Sequence, residues 1–129
     1  MLKKVCLTLA IAYTIVLTYV NFMNLKEVPE IGFEFDDKLY HLGSYILLAV
    51  LWGGLAISYQ SSKILKIAAV SCLIYGISVE LLQNIVNPLR TFSWGDLASN
   101  AVGVIIGIII VSMYYRKNVK MSTNSQIIL

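Results

Sequence analysis

Four long apolar runs separated by short polar stretches organise this chain: Val5 to Leu25, Leu39 to Tyr59, Ile64 to Val86 and Leu97 to Tyr115. Each supplies the roughly 20 apolar residues that a helix needs to cross a bilayer. The pattern predicts an all-α integral membrane protein, an antiparallel four-helix bundle in which the short polar turn Ser58 to Lys66 makes the second and third helices neighbours. Residues 1–120 form this membrane domain. After Lys120 the tail M-S-T-N-S-Q-I-I-L carries no helical stripe, so residues 121–129 are expected to be a disordered cytoplasmic tail.

Inside three of the runs, polar residues recur at helical spacing, four apart on one side. The second run carries Asp37, His41, Tyr45, Ala49 and Gly53; the third carries Ala68, Cys72, Gly76 and Glu80, with Gln83 three residues on; the fourth carries Asp96, Asn100, Gly103 and Gly107. Each stripe has small residues in one half and polar residues in the other. Small residues let membrane helices approach closely, so these faces should pack together and gather the polar ends. Counting about 1.5 Å per residue, His41 lies roughly 6 Å and Tyr45 roughly 12 Å below Asp37, Glu80 about 12 Å below Pro88, and Asn100 about 6 Å below Asp96. A shallow layer of Asp37, Arg90 and Asp96 would then cap a deeper one of His41, Glu80, Gln83, Asn100 and Tyr45.

Charge orients the pattern. Lys3, Lys4, Lys63, Lys66, Arg116, Lys117 and Lys120 mark one membrane face, and Lys26, Lys38 and Arg90 the other. Short loops rich in Lys and Arg stay in the cytoplasm, which puts both termini there and turns the polar ends outward. All seven acids and the single histidine belong to that outer side. With 58% hydrophobic and 13% charged residues, an ordinary soluble domain is excluded. The net charge of +3 does not point to nucleic acid, because the basic residues sit in pairs at membrane ends. Phe92 and Trp94 on one side, and Tyr59, Tyr114 and Tyr115 on the other, fit interfacial belts. Lys3, Lys4 and the run to Val20 have the layout of a signal peptide, but residues 21 to 26 read N-F-M-N-L-K with no small-residue cleavage site, so the segment is expected to be retained. Cys6 and Cys72 fall at different depths and make a poor disulfide or metal pair.

The chemistry that follows belongs to the outer end. An ionised carboxylate at mid-membrane costs about 2.5 to 3.5 kcal/mol, whereas an interhelical hydrogen bond returns about 0.6 kcal/mol, so Glu80 is a poor choice for packing alone. Arg90 can make a bidentate contact with phosphate or carboxylate, and His41 is the one side chain that titrates near neutrality in water. The ligand-binding candidates are Asp37, His41, Tyr45, Glu80, Gln83, Arg90, Asp96 and Asn100; if there is catalysis, His41, Glu80 and Asp96 are its candidates. Bland readings stand beside these. Asp37 can favour the start of its helix through the dipole, and Ser93-Trp94-Gly95-Asp96 reads as a capping box that would occupy Asp96 locally. A divalent ion held by Asp37, His41, Glu80 and Asp96 is conceivable, but the spacing matches no metal motif, so no metal is assigned, and no cofactor is identified. The Gly103-x-x-x-Gly107 pair serves packing within one chain or between two, which leaves a homo-oligomer open.

The arrangement Asp37-Lys38-x-x-His41-x-x-x-Tyr45, Glu80-x-x-Gln83, Pro88-x-Arg90 and Asp96-x-x-x-Asn100-x-x-Gly103-x-x-x-Gly107 resembles the VanZ-like family of small bacterial membrane proteins, with Leu89 where the family often has Gly. The resemblance covers residues 37 to 107. It implies a multi-pass protein of the bacterial cytoplasmic membrane and, through the family's namesake, a link with glycopeptide (teicoplanin) resistance; it does not imply an established reaction. Two classes of function follow. The first is an outward-facing site for an anionic headgroup of an envelope lipid or precursor, with hydrolysis or transfer at a lipid-linked phosphate as its enzymatic form. The second is a non-catalytic scaffold whose polar cluster fixes helix register. The first, without catalysis, ranks highest because no nucleophile stands beside an activating base.

Overall fold

The computed structural model describes residues 1–23, 34–88 and 91–127, with side chains for 1–23, 37–88 and 91–125. Four helices are present: α1 (Leu2–Phe22), α2 (Glu34–Tyr59), α3 (Ser62–Val86) and α4 (Trp94–Ile127). All four contain a stretch long and apolar enough to cross a membrane. Large apolar side chains such as Ile15, Ile74, Ile85 and Ile109 are more than half exposed, as expected for surfaces that face lipid.

The turn between α2 and α3 follows from its hydrogen bonds. Gln60 takes the left-handed conformation (φ 50°), its N–H donates to the Ile57 carbonyl at 3.2 Å and the Ser61 N–H to the Ala56 carbonyl at 3.0 Å, which is a Schellman ending. Ser61 then caps α3 by accepting from the Ile64 N–H. One residue therefore separates the end of α2 from the cap of α3, and the chain reverses.

The tightest pairing is α2 against α4. Hydrogen bonds and close approaches step together along both helices: His41 meets Asn100, the Leu42 to Ile46 backbone meets Gly103, Ile46 and Ala49 meet Gly107, and Gly53 meets Val111. These two helices therefore run parallel, with α3 antiparallel to both. Gly103 and Gly107 make this possible: a Cβ at Gly103 would lie 2.6 Å from the Leu42 carbonyl oxygen, and one at Gly107 2.6 Å from Ala49 Cβ. The glycine pair packs inside one chain. Among the described residues α1 contacts α2 and, more sparingly, α3, but not α4, so the arrangement is a close three-helix unit with α1 applied to one side.

That application is polar. Thr14 accepts from Trp52 Nε1–H at 3.0 Å, Tyr13 donates to the Ser44 carbonyl at 3.0 Å, and the Thr18 and Tyr75 hydroxyls lie 2.9 Å apart. Between α1, α2 and α3 an apolar crevice of about 390 Å³ remains, lined by Leu48, Trp52, Cys72 and Tyr75 among others. Cys6 and Cys72 are free thiols.

At its far end α4 does not stop near Lys120 but continues as helix to Ile127. No Gly or Pro falls between Lys120 and Ile127, and the Thr123 and Ser125 hydroxyls bond back to the carbonyls of Val119 and Met121; residues 121–125 are exposed.

Candidate functional site

α2 and α4 begin, and α3 ends, at the same end of the bundle, and there the polar halves of the three stripes meet. His41 is buried to 1% exposure and Asn100 to 2%. Their contact, Nδ1 to Oδ1 at 3.0 Å, bridges α2 and α4. The amide oxygen can only accept, so Nδ1–H donates this bond. Nε2 points toward Asp37, 3.7 Å from its Oδ1, which is outside hydrogen-bonding reach. Asp37 sits one turn above on α2 with its side chain 53% exposed, and the Asp96 carboxylate completes a group whose donor atoms all lie within 4.8 Å of one another.

Glu80 arrives from α3, buried to 2%. Its Oε1 accepts from the Ser93 backbone N–H at 3.2 Å, while the Ser93 hydroxyl accepts from the Asp96 N–H at 3.2 Å. The capping box legible in Ser93-x-x-Asp96 is thus divided: the serine half is made locally, but the acid that takes the Ser93 N–H comes from another helix. Asp96 keeps a place in the first turn of α4 while its carboxylate joins Asp37 and His41.

Tyr45 lies deeper, fully buried, with its ring against the space where Gly76 lacks a side chain, 2.9 Å from the Cβ position. Among the described residues its hydroxyl has no hydrogen-bond partner, and neither has Asn100 Nδ2. Buried polar atoms left in this way are uncommon.

Gln83 behaves differently. Although buried, its Nε2 donates to the Asn21 carbonyl at 2.7 Å, tying α3 to the last turn of α1. Arg90 lies outside the described residues, as does most of the acidic loop from Lys26. Asp37, His41, Asp96 and Asn100 therefore form one connected group, Glu80 joins it through Ser93, Tyr45 lies beneath, and Gln83 turns away toward α1. Sequence reasoning missed the polar face of α1, where Asn21 is 2% exposed. Its signal was Thr14, Thr18 and Asn21, spaced as one helix face. It also missed Ser93 as the link between Glu80 and α4.

Chemically, the group offers three donor atoms of metal-ligating type near the surface, an imidazole oriented by Asn100 and, among the described residues, unsatisfied hydrogen-bonding capacity below. A family model described as VanZ/LLP1 matches residues 7–115. No curated protein matches the chain, and no solved structure does.

Proposed function

Because this chain belongs to the VanZ/LLP1 family and its four helices can cross a bilayer, we propose that the polar end binds an anionic headgroup of a cell-envelope lipid or lipid-linked precursor at the outer leaflet of the bacterial cytoplasmic membrane. The observation that carries this reading is the buried layer itself: His41, Glu80, Asn100 and Tyr45 come from three helices to one end, and Tyr45 and Asn100 retain polar atoms that have no partner among the described residues. Pure packing would be served better by apolar residues, since burying such an atom costs about 1 to 3 kcal/mol. The orientation rests on the seven-to-three division of Lys and Arg, and the anion on Arg90, which the sequence sets between α3 and α4.

The test is binding of vesicle lipids with phosphate headgroups to purified protein, read by native mass spectrometry and by tryptophan quenching. Wild-type protein should retain a phosphate-bearing lipid that zwitterion-only bilayers do not supply, and Arg90→Ala and Asn100→Ala should lose it at unchanged helicity. Equal retention by all three proteins would sink the reading and leave the cluster as packing. Teicoplanin susceptibility of a deletion strain carrying the same variants tests whether the site acts in glycopeptide resistance, and release of phosphate from the bound lipid would make the protein an enzyme.

A further inference from the structure

A headgroup phosphate approaching the polar end meets Asp37 and Asp96, two carboxylates that repel it. Nδ1 of His41 is engaged by Asn100, and its other ring nitrogen, Nε2, faces Asp37. Three atoms of metal-ligating type within 4.8 Å of one another are the arrangement of a cation site. From it we propose that Asp37, His41 and Asp96 bind one divalent transition-metal ion, of the zinc or manganese class, which turns the acidic mouth of the site into a phosphate receptor. The second part of this inference rests on the headgroup reading above; the first does not.

Geometry supports three ligands on one ion. Around Zn²⁺ at bond lengths of about 2.0 to 2.1 Å, tetrahedral ligand atoms stand about 3.4 Å apart; around an octahedral ion at about 2.1 Å they stand about 3.0 Å apart in cis and about 4.2 Å apart in trans. The 3.7 Å from His41 Nε2 to Asp37 Oδ1, and the 4.8 Å limit over all three donors, need only small side-chain movements to meet either set. One imidazole with two carboxylates selects zinc or manganese over calcium and magnesium, which take oxygen alone.

Two further features point the same way. A ligating histidine donates its other ring N–H to an acceptor that fixes tautomer and orientation, and Asn100 Oδ1 fills that role from the facing helix. The residue most expected to be spent on a helix cap, Asp96, is released because Glu80 takes the Ser93 N–H. Asp37 is half exposed while His41 is buried, so the coordination positions not filled by protein face outward, where water or a phosphate oxygen would bind. Among the described residues the ligand set is Asp37, His41 and Asp96, without Glu80.

The experiment is metal binding by the full chain in detergent after dialysis against chelator, with ZnCl2 and MnCl2 as probes, read by calorimetry and by metal analysis after gel filtration. Wild-type protein should hold one ion per chain; His41→Ala, Asp37→Asn and Asp96→Asn should each weaken binding at least 100-fold, and Asn100→Ala 10- to 100-fold as an outer-shell partner. Asp37→Asn keeps shape at an exposed position, so its loss of metal cannot be a loss of fold; circular dichroism checks the others. Less than a tenth of an ion per chain, or binding unchanged in Asp37→Asn and Asp96→Asn, overturns the site. Retention of phosphate-headgroup lipid is then compared with and without chelator. Loss on chelation supports the receptor role; undiminished retention overturns that role, leaving the headgroup reading standing. Metal bound with no lipid retained overturns the headgroup reading alone.

Discussion

Gly103→Ala adds one methyl group where α4 touches the backbone of α2. It would lie 2.6 Å from the Leu42 carbonyl oxygen, 3.0 Å from Tyr45 Cβ and 3.2 Å from the Ile46 nitrogen. Two of these are backbone atoms, so no rotamer change relieves the contact; the helices must separate by about 0.8 Å to reach ordinary van der Waals distance. Overpacking of this kind costs about 1 to 3 kcal/mol, and the better helix propensity of alanine returns about 1 kcal/mol at most. The expected balance is a destabilisation of about 1 to 2 kcal/mol. Asn100 is only about 4.5 Å along the same helix, so the separation would also stretch the 3.0 Å bridge to His41 past hydrogen-bonding reach. Gly54→Ala makes the same chemical change where nothing lies within 4 Å and should be neutral or slightly stabilising. Reversible unfolding in mixed micelles gives the stabilities, and the single imidazole, followed by nitrogen NMR, gives the state of the bridge. Equal stability of the two variants, with an unaltered histidine signal, would refute the close α2–α4 approach.

Other variants probe separate contacts. Ser93→Ala removes the hydroxyl that accepts from the Asp96 N–H and should lower stability by about 1 kcal/mol, measured by the same unfolding assay. Glu80→Gln keeps an acceptor for the Ser93 N–H and should cost less than Glu80→Leu, which leaves that N–H without its partner; equal costs would place the stabilisation in the carboxylate charge, which both variants lack. Gln60→Gly relieves a left-handed non-glycine residue and should raise stability by about 1 kcal/mol. Single cysteines replacing Glu30 and Thr91 should react with an impermeant reagent on intact cells and one replacing Ser61 should not; labelling at Ser61 alone would reverse the orientation.

The four spans, and the gathering of polar ends from α2, α3 and α4, were legible because helical period assigns faces and small residues mark the faces that pack. Period does not name the partner across the gap. Gln83 shares a face with Glu80 in sequence, yet it bonds the end of α1, and Glu80 reaches Ser93 rather than His41. Such choices depend on how far each helix is rotated about its axis, which the parallel glycine contact of α2 and α4 sets and no local pattern records. The second apolar run begins at Leu39, but its helix begins earlier, at Glu34, because carboxylates favour a helix N-terminus. The polar face of α1 was hidden by the apolar residues around it: threonine hydroxyls that bond back to their own helix, as Thr14 does to Ala10, look self-contained until a tryptophan N–H from α2 arrives.

The contact between Glu80 and Ser93 is also the more local of the two that build the polar end. It joins residues 13 apart in sequence, whereas His41 and Asn100 are separated by 59. A carboxylate entering the membrane alone faces a barrier of about 2.5 to 3.5 kcal/mol; arriving with the first turn of α4 it already has a backbone donor. α3 and α4 are thereby coupled as a hairpin by a local contact, whereas the cluster of Asp37, His41 and Asp96 exists only where this hairpin lies against α2.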